Sequence, residues 1–399
     1  MFIATLCGFQ FGFHCAIIAG AMLYLTSYFG WSAGQEGFAA GSIIMGGLIG
    51  ALSGGGVAAR LGEKQTLHWC AVFISVATII VAFSDTIEVF CLGRVLQGVG
   101  IGIGTVVAPM YLAEIATPAK RGMIVCANQF AIPVGILTAY GVNYLFVSTG
   151  NWRMMFAVGL IPTLIQIVGF FFSPSVPKHK RAEVSPWKNL LDIKYKKPLV
   201  LGLALGGFQQ ITGFNAVIYF MPSIFEVSGV LEASLAVLMT FGVGCISIIA
   251  AGISLYLIDK IGRRPLFIIS LVGMVISLLM SGLVLYDSIS ISHSLLVFCF
   301  MVYVAAFIIG LGPIPWLIFA EIYPQAIRGH AMSLSLSMNW FFHYLVVVSF
   351  PILIKVLSTT GVFFLYALFG IIALIFICKR LPETKGLSLE EIEDKFKVQ

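Results

Sequence analysis

Apolar runs of about twenty residues recur along this chain from end to end, and that repetition limits its fold more than any other feature. About twenty helical residues cross the hydrocarbon core of a bilayer, so each run is a candidate membrane span. The pattern predicts spans at 2–28, 37–58, 66–84, 89–112, 123–147 and 153–172, then at 198–221, 233–257, 266–286, 294–318, 332–357 and 361–379. Charged residues make up only 10% of the 399, against about 25% in a soluble domain, so most of the surface is built to meet lipid. A soluble domain with a single anchor is excluded. The first run could be a secretory signal, but it lacks a basic leading region and a small-residue cleavage site, and it runs past the usual apolar length. The fold class is therefore an all-α membrane protein of twelve transmembrane helices.

A net charge of +6 could point to an acidic partner such as nucleic acid. Its distribution points elsewhere. Basic residues crowd alternate loops: Arg60 and Lys64; Lys120 and Arg121; Lys178 to Lys197; Lys260, Arg263 and Arg264; Arg328; and Lys379 onward. The opposite loops hold Glu36, Asp85, Glu88, Glu226, Glu232 and Asp287, with Arg153 and Lys355 as exceptions. Lys and Arg bias sets orientation, so both termini are expected on the cytoplasmic side of a cell membrane. The lipid bilayer is the partner that this charge pattern describes, and no nucleic acid is expected. The eight cysteines are scattered through apolar spans and form no CxxC or Cys/His cluster, so they read as packing residues.

The two halves of the chain repeat each other. Gly8-Phe9-Gln10 returns as Gly207-Phe208-Gln209, and Arg60-Leu61-Gly62-Glu63-Lys64 as Lys260-Ile261-Gly262-Arg263-Arg264. Ala113-Glu114-Ile115 with Arg121-Gly122 returns as Ala320-Glu321-Ile322 with Arg328-Gly329. A six-helix unit duplicated in one orientation predicts two bundles related by an axis along the membrane normal, with substrate between them near the midplane. The expected organisation is a bundle at 1–172, a basic cytoplasmic linker at 173–197, a bundle at 198–379 and a cytoplasmic tail at 380–399. Within the linker, Trp187 to Ile193 has the pattern of a segment lying on the membrane surface. The run Gly98-Val99-Gly100-Ile101-Gly102-Ile103-Gly104 lacks the strand that a phosphate-binding loop needs, and reads as close helix packing through small residues.

Five further motifs carry a resemblance. They are Asp259-Lys260-Ile261-Gly262-Arg263-Arg264; Gly93-Arg94 with Pro109-Met110-Tyr111-Leu112-Ala113-Glu114; Gln209-Gln210-Ile211-Thr212-Gly213-Phe214-Asn215; Gly312-Pro313-Ile314-Pro315-Trp316; and Pro382-Glu383-Thr384-Lys385-Gly386. Over nearly its whole length the chain resembles the sugar porter family of the major facilitator superfamily. The resemblance implies the major facilitator fold and a neutral monosaccharide, hexose or pentose, as substrate. The chain departs from the family at Ala59, at Glu63-Lys64 and at Pro174-Ser175-Val176-Pro177-Lys178, all on the expected cytoplasmic side.

Sugar hydroxyls both donate and accept, and a carboxamide offers both functions on one group. A Trp face covers C–H surface while its N–H stays free to bond. The spans contain Gln129, Gln209, Gln210, Asn215, Trp316, Asn339 and Trp340, and the resemblance makes these sugar contacts, with Phe11 and Tyr219 as aromatic ones. The alternative for the amides is hydrogen bonding between helices, and for the Trp residues plain packing. On an ideal helix Gln209 and Asn215 point about 120° apart, so they share a cavity only if the helix is irregular near Gly213. Pro313 and Pro315 should interrupt the helix beside Trp316.

Glu114, Arg121, Asp259, Arg263, Glu321 and Arg328 occupy matching places at helix ends in the two halves. They read either as solvated loop charge or as a cytoplasmic gate for alternating access. Coupled relatives carry an Asp at the position of His14, facing the equivalent of Arg94, and some carry an acid at the position of Gly159. Here a neighbouring cation and burial both disfavour a charged imidazole, so downhill transport is expected, with His14 as a hydrogen-bonding spacer. Proton symport through His14 is the alternative, and protons are a partner only under it. Other readings are a facilitator of another small solute and a sugar sensor that does not transport. Anion transport would want several cavity cations, and only Arg94 lies well inside a span. No nucleophile–base pair or metal cluster suggests an enzyme, and no cofactor is expected.

Overall fold

A computed structural model of the chain describes residues 2–116, 121–174, 190, 192, 195–227, 229, 232–286, 293–324, 327–387 and 391–392, without the side chains of 121–126, 227, 259, 293 and 320. The first half contains α1 (Phe2–Ala16), α2 (Ile18–Phe29), α3 (Ala33–Leu61), α4 (Glu63–Ala82), α5 (Ile87–Ile115), α6 (Arg121–Phe146), α7 (Trp152–Ala157) and α8 (Leu160–Phe172). The second half contains α9 (Lys196–Ile211), α10 (Phe214–Val227), α11 (Ala233–Ile261), α12 (Arg263–Tyr286) and α13 (His293–Ala306). A π turn at Phe307–Leu311 follows, then α14 (Ile314–Ile322) and α15 (Arg328–Arg380). The segment Trp187 to Ile193 lies largely outside the described residues.

Among the described residues, nine helical stretches are long and apolar enough to cross a membrane. Arg328–Arg380 holds two spans, because Ser358 at φ 62° breaks it between the expected eleventh and twelfth. The interrupted pair α9–α10 supplies one more and α6 another, which gives the expected twelve. Local chemistry sets several starts. Ser32 and Gln35 form a reciprocal capping box at α3, Thr86 accepts from Val89 N at α5, and Asn151 accepts from Met154 N at α7. Each satisfies a donor that the first helical turn leaves open.

The chain divides into two compact units. One holds Met1–His179, Ala216–Ile248 and Val347–Ile352, so most of α10 and the first part of α11 pack with the first-half helices. Within it, the Tyr140 hydroxyl on α6 donates to the Ile218 carbonyl on α10 at 2.9 Å. The glycines of α5 do pack closely: a Cβ on Gly98 would stand 1.9 Å from the Ile43 carbonyl oxygen of α3, and one on Gly102 would stand 2.1 Å from that of Gly47. Arg153, an exception to the charge pattern, pairs with Asp85 at 2.7 Å and lies over the Trp152 ring. The other unit holds Lys180–Asn215, Ile249–Val346 and Leu353–Gln399.

Candidate functional site: a chain of carboxamides beside two broken helices

The seventh span is broken where its amides lie. Helix α9 ends at Ile211 and α10 begins at Phe214, with Gly213 between them at φ +87°. Glycine alone fits here, because the conformation strains other residues and a Cβ would stand 2.2 Å from the Tyr366 ring. The Thr212 carbonyl, freed by the break, accepts from the Tyr303 hydroxyl at 2.8 Å. The tenth span is also irregular: α13 widens into the π turn, Gly312 N bonds back five residues to Phe307 O at 2.7 Å, and α14 restarts after Pro313. Phe214 stacks on Phe307 with ring centres 3.5 Å apart, so the two breaks meet face to face.

Around these breaks four carboxamides form one directed chain. Asn215 Nδ2 donates to Gln210 Oε1 at 2.6 Å, and Gln210 Nε2 donates to Asn339 Oδ1 at 3.1 Å. Asn339 Nδ2 donates to Gln209 Oε1 at 2.5 Å and to Gly206 O at 3.1 Å. Gln209 Nε2 ends the chain on the carbonyls of Leu311, 3.1 Å, and Gly312, 2.5 Å. Gln209, Gln210 and Asn339 are buried, and Asn215 forms the half-buried end. Bonds in series polarise one another, so a hydroxyl that engages Asn215 or Gln210 meets an already oriented row of dipoles.

Trp316 stands near the start of α14 with a relative exposure of 36%, and Trp340 follows Asn339 on α15, where its ring stacks against His343 at 5.9 Å. The other expected contacts belong to the unit built on the first half. Gln129 is exposed on α6, Phe11 is half-buried on α1, and Tyr219 is buried on α10.

In that same unit Arg94 is fully buried. Its Nη1 donates to the backbone oxygen of His14 at 2.7 Å and to Gln97 Oε1 at 3.1 Å, and its guanidinium lies 5.4 Å from the Phe156 ring centre. Gln97 Nε2 donates to Thr78 Oγ1 at 2.9 Å and stands 3.5 Å from His14 Nδ1. The cation is thus held by a carbonyl, an amide and an aromatic face. Gly159 leaves the space that the imidazole uses, since a Cβ there would stand 2.6 Å from His14 Cε1. One sign of Gln97 was legible in the sequence: an amide one helical turn beyond Arg94, just before a glycine-rich run. Thr78 gave none.

Of the expected gate residues, Arg263 pairs with Glu321 at 3.1 Å, and Thr384 Oγ1 donates to the second Glu321 oxygen at 2.6 Å. Arg328 Nε donates to Tyr323 O at 3.0 Å, and Glu114 is exposed. The side chains of Arg121 and Asp259 lie outside the described residues. Glu383, given no role above, is central here. Its carboxylate accepts from the backbone N–H groups of Arg263, Arg264, Thr384 and Lys385 at 2.8–3.1 Å. It sits on the N-terminus of α12, where helical N–H groups favour an anion. Burial pushes its carboxyl up, but these four donors outweigh burial and hold it below the ordinary glutamate range. Gly262, at φ +104°, permits the approach, because a Cβ would stand 2.8 Å from the Glu383 carboxylate. At the matching place of the first half, Glu63 supplies the acid within the first turn of α4, and Lys64 Nζ bonds the Ser173 carbonyl at 2.5 Å.

The family model described as sugar (and other) transporter matches residues 1–183 and 175–396. The chain belongs to this family. Its glucose transporter GlcP from Staphylococcus epidermidis is 31% identical over 98% of this chain and 95% of its own length. The D-xylose-proton symporter of Escherichia coli is also 31% identical, over 98% and 94%. A solved inward-open structure of the E. coli xylose transporter XylE superposes with a TM-score of 0.86 at 29% identity, covering 99% of this chain and 98% of that one. This family member is therefore a multi-pass membrane transporter with the all-helical major facilitator fold, and not an enzyme.

Proposed function

We propose that this transporter carries a neutral monosaccharide, a hexose or pentose, across the membrane by alternating access, downhill and without coupling to protons. The observation that carries the substrate class is the uncharged row Asn215–Gln210–Asn339–Gln209, which offers paired donors and acceptors and no ionic partner for a charged solute. Trp316, Trp340, Gln129, Phe11 and Tyr219 complete the proposed contacts. Relatives named for glucose, D-xylose and galactose support the same class.

The absence of coupling rests on Arg94. A proton switch needs a group that releases the guanidinium on protonation, whereas the backbone oxygen of His14 and the amide of Gln97 do not titrate near neutrality. The rival reading, symport through His14, draws on relatives named as proton symporters and on the imidazole's place 3.5 Å from Gln97. Glu114, Arg121, Asp259, Arg263, Glu321 and Arg328 are proposed to form the cytoplasmic gate, with Arg263–Glu321 as its best-supported pair.

Uptake of a panel of labelled sugars into proteoliposomes tests both parts. The expected result is saturable uptake of one or more monosaccharides that stops at equal concentrations with or without an inward proton gradient. Gradient-driven accumulation that His14→Asn abolishes while exchange survives would establish symport in its place. No uptake or exchange of any monosaccharide would remove the substrate proposal.

A further inference from the structure

The irregular stretch from Ala306 to Trp316 leaves backbone groups without their usual partners, inside a membrane span where water cannot replace them. Pro313 has no N–H, which deprives Ile309 O of its partner four residues on. Pro315 does the same to Leu311 O. The π turn in addition moves the Leu311 N–H into a five-residue register with Ala306 O, in place of the ordinary four-residue one.

Each of these groups is met by a side chain from another helix. Ser254 Oγ on α11 donates to Ile309 O at 2.9 Å. Gln209 Nε2 on α9 donates to Leu311 O at 3.1 Å. Ser270 Oγ on α12 sits between Leu311 N, from which it accepts at 2.9 Å, and Ala306 O, to which it donates at 2.6 Å. That pair of backbone groups is the one that the five-residue π turn joins, so Ser270 grips the turn at both ends. Gly310 lets Ser270 come this close, since a Cβ on Gly310 would stand 2.5 Å from Ser270 Cβ. Ser254 and Ser270 are both buried.

We infer that Ser254 and Ser270 are positioning residues for the transport site: the Ser254 hydroxyl replaces the backbone hydrogen bond lost at Pro313, the Ser270 hydroxyl braces both ends of the π turn, and together they fix the bend that places Trp316 and anchors Gln209. The inference rests on the proposed substrate site, and it deepens that reading by assigning the shape of this segment to two serines outside the amide row. Gln209 then acts through the backbone of the tenth span as well as through Asn339.

The test uses the full-length protein in lipid nanodiscs, as Ser254→Ala, Ser270→Ala, Pro313→Ala and Ser254→Ala/Pro313→Ala. Amide hydrogen exchange is followed across residues 307–322, and D-glucose and D-xylose affinities are read from tryptophan fluorescence. Loss of a buried partner should raise exchange about fivefold to tenfold in 307–316 for each serine variant, with sugar affinity falling by a similar factor. Pro313→Ala returns an N–H to Ile309 O, so Ser254→Ala should cost clearly less in that background, the non-additivity expected of a shared partner. Unchanged exchange in both serine variants overturns the inference, as does an equal cost of Ser254→Ala in the two backgrounds. A lowered melting temperature with unchanged sugar affinity would reduce the serines to a structural role and also overturn it. The exchange measurements need no sugar, so a protein that bound neither sugar would count against the proposed substrate while exchange still decided the role of the hydroxyls.

Discussion

Gln210 holds the middle of the amide row, accepting from Asn215 and donating to Asn339. Truncation to Ala removes both bonds and leaves a donor and an acceptor stranded in a buried site, at about 1–3 kcal/mol for a lost partner. Gln210→Ala is therefore expected to weaken monosaccharide binding at least tenfold, measured as half-saturation of uptake at matched expression. Normal affinity in that variant would take Gln210 out of the substrate site. The amides were legible in the sequence because polar side chains inside apolar spans are costly and few. Their order in the row was not, because an ideal helix separates Gln209 from Asn215 by about 120°. Gly213 removes that conflict: its positive φ turns the chain between the two amides. The network around Arg94, in which Thr78 holds Gln97, shows the opposite limit. Arg94 and His14 stood out as buried ionisable residues, but Thr78 comes from a helix whose register against α5 no local pattern specifies.

At the scale of elements, the tail segment after α15 is tied to the start of α12 by one carboxylate. Glu383 is held below the ordinary glutamate range, so its contribution is complete above that range and is lost as pH falls through the lowered value. Acid should therefore loosen residues 381–387, seen as faster amide exchange, with onset below the pH at which a free glutamate titrates. Glu383→Gln should loosen the same segment at neutral pH by about 1 kcal/mol, the low end for a partly solvated carboxylate, and its exchange should no longer respond to acid in that way. A segment that keeps its pH response in Glu383→Gln would assign the effect to another group. Helix identity and most boundaries followed from apolar run length. The interior breaks followed only in part. Pro313 and Pro315 announced one, whereas the π turn at Phe307–Leu311 contains no proline, and its one glycine, Gly310, makes room for Ser270 from α12.

For the whole molecule, alternating basic loops predict that Met1 and Gln399 share the cytoplasmic side, with Glu226 and Ser288 opposite. With the native cysteines replaced, Glu183→Cys and Ser288→Cys should react with an impermeant reagent from opposite faces of the membrane. Equal labelling of both from one face would sink the twelve-span arrangement. The sequence by itself determined that the chain crosses a bilayer about twelve times, that its halves carry matching motifs, and that its family is a transporter family. Those properties are written in run length, charge alternation and local motifs, and each is enforced over a few residues by the cost of placing charge or open backbone in lipid. Only the tertiary structure decided which amide donates to which, that Thr78 holds Gln97, and that two serines brace the tenth span. Those bonds join groups 5 to 130 residues apart, the shortest of them across the break at Gly213. A hydrogen bond acts only within about 3 Å, so its partner is fixed by how helices pack rather than by what stands beside it in the chain.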